Sequence, residues 1–149
     1  NMLDDCDPGM NIDTDDGFDG KSDAKGIVLS VGPQNMNAMK LVEKLAVSGV
    51  KFDHLAITQI QPLSKNIRSV LCEYDYVVTM EEGLLPGGFG ILILEELHEM
   101  GSTIKLIRAG FAKEFVEHGT RDYIYESRGI DFKSVATRMS KTWPELFGS

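Results

Sequence analysis

Residues 76–101 read YVVTMEEGLLPGGFGILILEELHEMG and contain the clearest predicted strand of the chain. The stretch opens with a compact run of β-branched and apolar residues at 76–80, which is typical of a buried strand. Residues 84–90 are rich in glycine and predict a turn. A strongly apolar segment then runs from Phe89 to Gly101, and its spacing predicts a helix that ends at the glycine. The stretch therefore predicts a strand, a turn and a helix in direct succession.

The same strand-then-helix unit repeats on both sides of this stretch. Apolar runs predict three further strands, at residues 27–31, 52–58 and 104–108. Helical spacing predicts further helices over residues 36–46, over 64–71, from about 120 and over 131–143. Four strands, each followed by a helix, predict an α/β fold. We expect three layers (α/β/α) around a mostly parallel sheet of four or five strands.

Helical spacing also predicts which side chains face the core. The inward face of the first helix is predicted to consist of Met36, Met39, Val42, Leu45 and Ala46. We expect this helix to end near Gly49. Met100 is expected in the core for the same reason of spacing.

The first 25 residues differ sharply in composition from the rest of the chain. They hold eight aspartates against Lys21 and Lys25, so they contribute −6 of the net charge of −8. Such a segment has too little apolar surface to order itself independently. We therefore expect an acidic linker or edge segment at 1–25 and a single α/β domain at 26–149.

Charge and hydropathy argue against two classes of partner. The remaining 124 of the 149 residues carry only −2 and no basic stripe, so we do not expect a nucleic acid partner. No apolar run reaches the roughly 18 residues that a membrane span needs, so we expect a cytoplasmic protein. Cys6 and Cys72 form neither a CxxC nor a zinc pattern, and we expect both to be thiols.

The glycines of the turn are the first candidates for chemistry. Gly87, Gly88 and Gly90 lie before a helix, and the first N–H groups of a helix can bind an anion. The spacing departs from the GxGxxG pattern of dinucleotide-binding proteins. The alternative is that these glycines only let the helix pack closely on the sheet. We therefore carry them as a weak candidate for an anion site.

Two carboxylates and one histidine complete the candidates. Glu81 and Glu82 end the predicted strand, at the edge where ligands approach open α/β sheets. Adjacent side chains of a strand point to opposite sides, so the two carboxylates are not expected to form an acid–base pair; one of them could instead accept hydrogen bonds from the glycine turn. His118 is either a base or a loop histidine that caps a helix. His54 and His98 are isolated in sequence, so no metal site is predicted.

The order of these motifs resembles the C-terminal domain of the transketolase family, and within it 1-deoxy-D-xylulose-5-phosphate synthase. That family shows V-T-x-E-E at the end of a strand, a GGxG turn into a helix, and a phenylalanine followed by E-H-G. The matching residues here are 78–82, 87–90, Phe115 and 117–119, and residues 61–64 (QPLS) correspond to the family's K-P-L-D. The turn EEGLLPGGFG also resembles that of 2-oxo acid dehydrogenase β subunits. A dehydrogenase β subunit or a transketolase therefore stays an alternative.

The resemblance implies a thiamine diphosphate- and Mg²⁺-dependent enzyme that transfers a two-carbon unit from pyruvate to glyceraldehyde 3-phosphate in isoprenoid biosynthesis. In this family a GDG…NN motif in another domain holds the cofactor, and this sequence contains neither GDG nor NN. The resemblance therefore implies no catalytic, cofactor-binding or metal residue in this chain, which is expected to be inactive alone. It implies a domain that braces a homodimer, with the remaining domains or subunit of the same enzyme as partners. The rival hypothesis is a stand-alone regulatory domain that binds an anion or a nucleotide.

Overall fold

The computed structural model describes residues 23–58, 60, 66–112 and 119–148. The strands in these ranges are β1 (Gly26–Val31), β2 (Phe52–Ile57), β3 (Tyr76–Leu84) and β4 (Lys105–Phe111). The helices are α1 (Asn35–Val47), α2 (Ile67–Cys72), α3 (Phe89–Glu99), α4 (Arg121–Arg128) and α5 (Phe132–Thr142), with 3₁₀ turns at Gly32–Gln34 and Pro144–Phe147. All paired strands are parallel, in the order β2–β1–β3–β4. The α/β prediction is confirmed.

Helices cover both faces of the sheet because each strand alternates its buried side chains between two cores. In β1, Val28 faces a core shared with α1, α4 and α5. Its neighbours Ile27 and Leu29 face a second core, shared with α2 and α3. A strand that is buried on both faces needs apolar residues at successive positions, which explains the continuous apolar runs in the sequence.

Helix α1 presents a different side to the core from the one predicted. Its buried residues are Ala38, Leu41 and Leu45. Met36 and Met39 are 60% and 50% exposed and Ala46 is also exposed, so their prediction as core residues is wrong, whereas Met100 is buried as predicted. The helix carries apolar residues on two sides. Periodicity could not decide which side packs against β2 and α5.

Several predictions concern residues outside the described ranges, and these stay predictions. They include the acidic segment up to residue 22, the helix start at 62–64, and Phe115 with residues 117 and 118. Within the described ranges, Cys72 is disulfide-bonded, so the prediction that it is a thiol is wrong. Spacing along the sequence does not reveal which sulfur atoms meet in the fold. Among the helices of the described ranges, none is long and apolar enough to cross a membrane.

The strand order reverses direction between β1 and β3. From β1 the chain moves outward to β2, then returns past β1 to form β3 and continues to β4. The carboxyl ends of β1 and β3 therefore lie side by side, while the helices that follow them, α1 and α3, pack on opposite faces. Open α/β sheets bind ligands at such a reversal. Glu81 and Glu82 lie at this edge.

Candidate functional site

Glu81, near the carboxyl end of β3, binds the N-terminus of α3. Its Oε1 accepts a hydrogen bond from the Phe89 amide at 2.8 Å, and its Oε2 accepts one from the Gly90 amide at 2.6 Å. The residue is only 3% exposed. A buried negative charge of the protein itself therefore satisfies two of the four N–H groups that a helix leaves unpaired at its start. An anion at the glycine turn would need the same donors.

The glycines of the turn differ from one another in what surrounds them. A Cβ atom on Gly90 would lie 2.8 Å from Thr79 Oγ1 and 3.1 Å from Arg108 Cδ, so this position is closely packed against the sheet. A Cβ atom on Gly87 would meet nothing within 4 Å. Gly88 precedes α3 in extended backbone, with φ −89° and ψ −169°. Close packing of α3 on the sheet thus depends on Gly90 rather than on the whole glycine run.

Glu82 points to the other side of the sheet and binds α4. Its Oε1 accepts hydrogen bonds from Arg121 Nε at 2.9 Å and from the Tyr125 hydroxyl. Burial, together with the adjacent carboxylate, raises the pKa of Tyr125, so the hydroxyl keeps its proton and donates it. The two adjacent carboxylates thus bind helices on opposite faces of the sheet, as the alternation of side chains along a strand predicts.

A second polar cluster lies at the carboxyl end of β1. The Ser30 hydroxyl donates to Asn35 Oδ1 at 2.7 Å, and its oxygen lies 2.6 Å from His54 Nε2. A hydroxyl has one hydrogen, so His54 Nε2 carries a hydrogen and donates it to Ser30. Burial lowers the pKa of His54. Ser30 is fully buried, so this pair is not arranged as an accessible nucleophile and base.

No sequence pattern indicates this cluster. His54 is isolated in sequence, but in the fold its Nε2 lies 2.6 Å from the Ser30 hydroxyl oxygen. The parallel register places Val28 opposite His54 and Ser30 opposite Ala56, which brings the histidine to the serine. Strand register is decided by tertiary packing and is not visible in either strand alone.

The remaining candidates add no further chemistry to this edge. In the part of the chain that the structure describes, no three His, Cys, Asp or Glu side chains are arranged to hold a metal ion. His118 lies outside the described residues. The described carboxylates at the strand ends are engaged in hydrogen bonds within the protein, and they hold α3 and α4 in place.

Comparison with known proteins gives a consistent result. A family model described as transketolase, C-terminal domain, matches residues 21–135. The 1-deoxy-D-xylulose-5-phosphate synthase of Parabacteroides distasonis is 30% identical over 115 residues, which are 76% of this chain and 18% of the relative. That of Leifsonia xyli subsp. xyli is 30% identical over 125 residues, covering 82% of this chain and 19% of the relative. The chain thus spans less than a fifth of the length of these curated relatives.

A solved structure shares the fold. It is described as a split-gene transketolase in an inactive "beta4" tetramer, a term that is unrelated to strand β4 of this chain. It superposes with a TM-score of 0.72 at 21% sequence identity. The similarity covers 81% of this chain and 40% of that chain. At this level of identity the superposition supports the architecture of the domain.

Proposed function

Because the chain belongs to the transketolase C-terminal domain family, we propose that it is the non-catalytic C-terminal domain of a thiamine diphosphate-dependent enzyme. The proposed enzyme is a 1-deoxy-D-xylulose-5-phosphate synthase, since curated relatives at about 30% identity carry that name. In that reaction pyruvate loses its carboxyl group as CO₂, and the remaining two-carbon unit is joined to glyceraldehyde 3-phosphate. The remaining domains or subunit of the same enzyme are the proposed partners, since the chain spans less than a fifth of those relatives.

The binding of Glu81 to the start of α3 is the observation that carries this proposal. A diphosphate at this helix would need the Phe89 and Gly90 amides, and both already donate to the buried carboxylate. A phosphate there would also meet a negative charge at close range. No metal-binding group exists among the described residues to offset that charge. The described residues do not fit thiamine diphosphate with Mg²⁺, and we place both in other domains of the enzyme.

The same contacts weigh against the rival hypothesis of a stand-alone regulatory domain. An inorganic anion or a nucleotide at the glycine turn would have to displace Glu81 from the two amides. Displacement would leave a carboxylate buried beside the incoming anion, which is unfavourable. Nothing at the turn favours the nucleotide hypothesis over the proposed role in a larger enzyme.

The proposed contribution of the domain is packing within a cytoplasmic homodimer. Met36, Met39 and Val47 lie along one side of α1, and Val47 is 91% exposed. Large apolar side chains on one side of a helix are often covered by another protein surface. Their exposure supports a contact of this domain with the rest of the enzyme.

Calorimetry on two lengths of the protein tests the proposal. We expect this chain alone to bind no thiamine diphosphate in the presence of Mg²⁺ and to form no product from pyruvate and glyceraldehyde 3-phosphate. With the neighbouring coding region restored, we expect both binding and turnover. As a matched control, Glu82→Gln in the longer protein should leave the Kd for thiamine diphosphate unchanged. Tight binding by the short chain would contradict the proposal.

A further inference from the structure

Cys72 has a covalent partner whose identity follows from the composition of the chain. Cys72 is disulfide-bonded, and the sequence contains only one other cysteine, Cys6. In an intramolecular bond the partner is therefore Cys6, which lies 66 positions away in the acidic segment (residues 1–25). Such a bond attaches the acidic segment to the α/β domain at the end of α2.

The end of α2 lies on the β2 side of the sheet. Cys72 is half-buried and packs against the core shared by α2 and α3, so the residue is not sealed inside the protein. Two residues further along, the Tyr74 hydroxyl donates to Asp53 Oδ2 at 2.7 Å. Asp53 is the second residue of β2, which is an edge strand. The disulfide therefore belongs to a part of the domain that is tied to the start of β2.

The other end of the acidic segment enters the domain beside the same strand. Asp23 forms an ion pair with Lys51, the residue before β2, and the Lys25 amide donates to the Lys51 carbonyl at 3.0 Å. The side chains of Asp23 and Lys51 are 81% and 61% exposed, so their ion pair contributes little by itself. A covalent bond at Cys72 is the stronger of the two attachments.

We propose that a Cys6–Cys72 disulfide is a reversible redox tether, which fastens the acidic segment to the β2 side of the domain and releases it on reduction. Reversibility rests on the proposed function, since that function places the protein in the cytoplasm. There, small thiols keep most cysteines reduced, and the disulfides that form are usually transient or redox-sensing. The half-buried position of Cys72 is compatible with attack by a small thiol.

Thiol–disulfide exchange with glutathione supplies a balanced reaction. On oxidation, the two cysteine thiols give two electrons and two protons to one oxidised glutathione, which leaves as two glutathione thiols. On reduction, one glutathione thiolate attacks the protein disulfide and forms a mixed disulfide. A second glutathione then displaces the first as oxidised glutathione, and both cysteines end as thiols.

Peptide mapping identifies the bond. Trypsin cleaves after lysine and arginine, so Cys6 and Cys72 fall in peptides 1–21 and 69–105. In the oxidised chain, with free thiols alkylated before digestion, we expect these peptides as one cross-linked species that dithiothreitol separates. A reductant-sensitive dimer would overturn the proposal, because Cys72 would then pair with a second copy of the chain. Two alkylated cysteines after equilibration with oxidised glutathione would also overturn it.

A glutathione titration of the folded chain tests whether the bond is reversible. As millimolar oxidised glutathione is replaced by reduced glutathione, we expect the cross-linked peptides to give way to two alkylated cysteines. A bond that persists in excess reduced glutathione would be a permanent staple and would overturn the proposal. Thiamine diphosphate takes no part in this measurement, so a failure here is distinct from a failure of the proposed function.

Urea unfolding tests whether the bond restrains the chain. A disulfide between residues so far apart restricts the unfolded chain, so reduction should raise the equilibrium constant for unfolding roughly 30- to 1000-fold. Cys72→Ser and Cys6→Ser should both resemble the reduced protein and should not respond to dithiothreitol. Asp23→Asn removes only the exposed ion pair and should keep the full response to dithiothreitol. An unchanged unfolding midpoint on reduction of the cross-linked chain would contradict the tether.

Discussion

Glu81 and Glu82 are adjacent carboxylates in contrasting surroundings. Glu81 is buried against α3 and binds two backbone amides, whereas Glu82 is half-buried and binds two side chains of α4. The exposed Arg121 side chain can move toward water when its partner is lost, but amides at the start of a packed helix cannot. A carboxylate at a strand end therefore indicates a ligand site only when its oxygens do not already accept hydrogen bonds within the protein.

Removal of Glu81 is expected to have the largest effect on stability. Glu81→Ala leaves the Phe89 and Gly90 amides without an acceptor in a buried position, so the free energy of unfolding should fall by about 2–5 kcal/mol. Glu82→Ala is the matched comparison and should cost less, about 1–2 kcal/mol, because the exposed Arg121 can turn toward solvent and only the buried Tyr125 hydroxyl loses its acceptor. Urea unfolding of both variants measures the difference. Equal losses of unfolding free energy in the two variants would contradict the larger contribution assigned to Glu81.

Substitution of Gly90 should have the next largest effect. A methyl group there would meet Thr79 Oγ1 and Arg108, so Gly90→Ala should cost about 1–3 kcal/mol of unfolding free energy. Gly87→Ala places the same group in open space and should change stability by less than about 0.5 kcal/mol. Thermal or urea unfolding of the pair distinguishes close packing from a general need for glycine. A neutral Gly90→Ala would rule out the packing role.

Loss of the Tyr125 hydroxyl tests the contact of Glu82 with α4. Tyr125→Phe removes one hydrogen bond to a charged acceptor while keeping the ring, and should cost about 1–2 kcal/mol. In a double-mutant cycle with Glu82→Gln, we expect the two losses to be non-additive, since the residues are in contact. Additive losses would mean that the hydroxyl and the carboxylate contribute independently.

The smallest expected effect is the pH dependence that comes from His54. Because burial lowers its pKa in the folded protein, the unfolded chain takes up a proton first as the pH falls through about 6.5. Stability from this group is therefore fully present above that pH and decreases below it. Urea unfolding between pH 7.5 and 5.5 should show this decrease, and His54→Gln should reduce it. If the free energy of unfolding of His54→Gln falls as steeply with decreasing pH as that of the unmodified protein, other groups cause the decrease.

The sequence predicted the elements more reliably than it predicted their contacts. Strand β1, helix α3 and helix α5 were found within about one or two residues of their bounds, because local apolar periodicity decides them. Strand β3 continues to Leu84, where a turn was predicted, since pairing of Leu84 with Phe111 extends it. That extension is a tertiary effect. No local sequence pattern predicts the extension of β3.

At the candidate site, the sequence identified Glu81 and Glu82 and the possibility that one of them accepts hydrogen bonds from the glycine turn, but it could not assign the partners of Glu82. The glycine turn suggested either an anion site or close packing, and only the geometry of Glu81 at Phe89 and Gly90 separates the two. The contact of Glu82 with Tyr125 joins residues 43 positions apart.

The most direct test of the central claim is to observe the Phe89 and Gly90 amides while thiamine diphosphate, Mg²⁺ and inorganic phosphate are added to the ¹⁵N-labelled chain. If Glu81 holds both amides, their chemical shifts should not change at millimolar concentrations of these ligands. A saturable shift of both amides, lost in Gly90→Ala, would show that the start of α3 is open to phosphate. It would contradict the assignment of this chain as a domain without its own cofactor site.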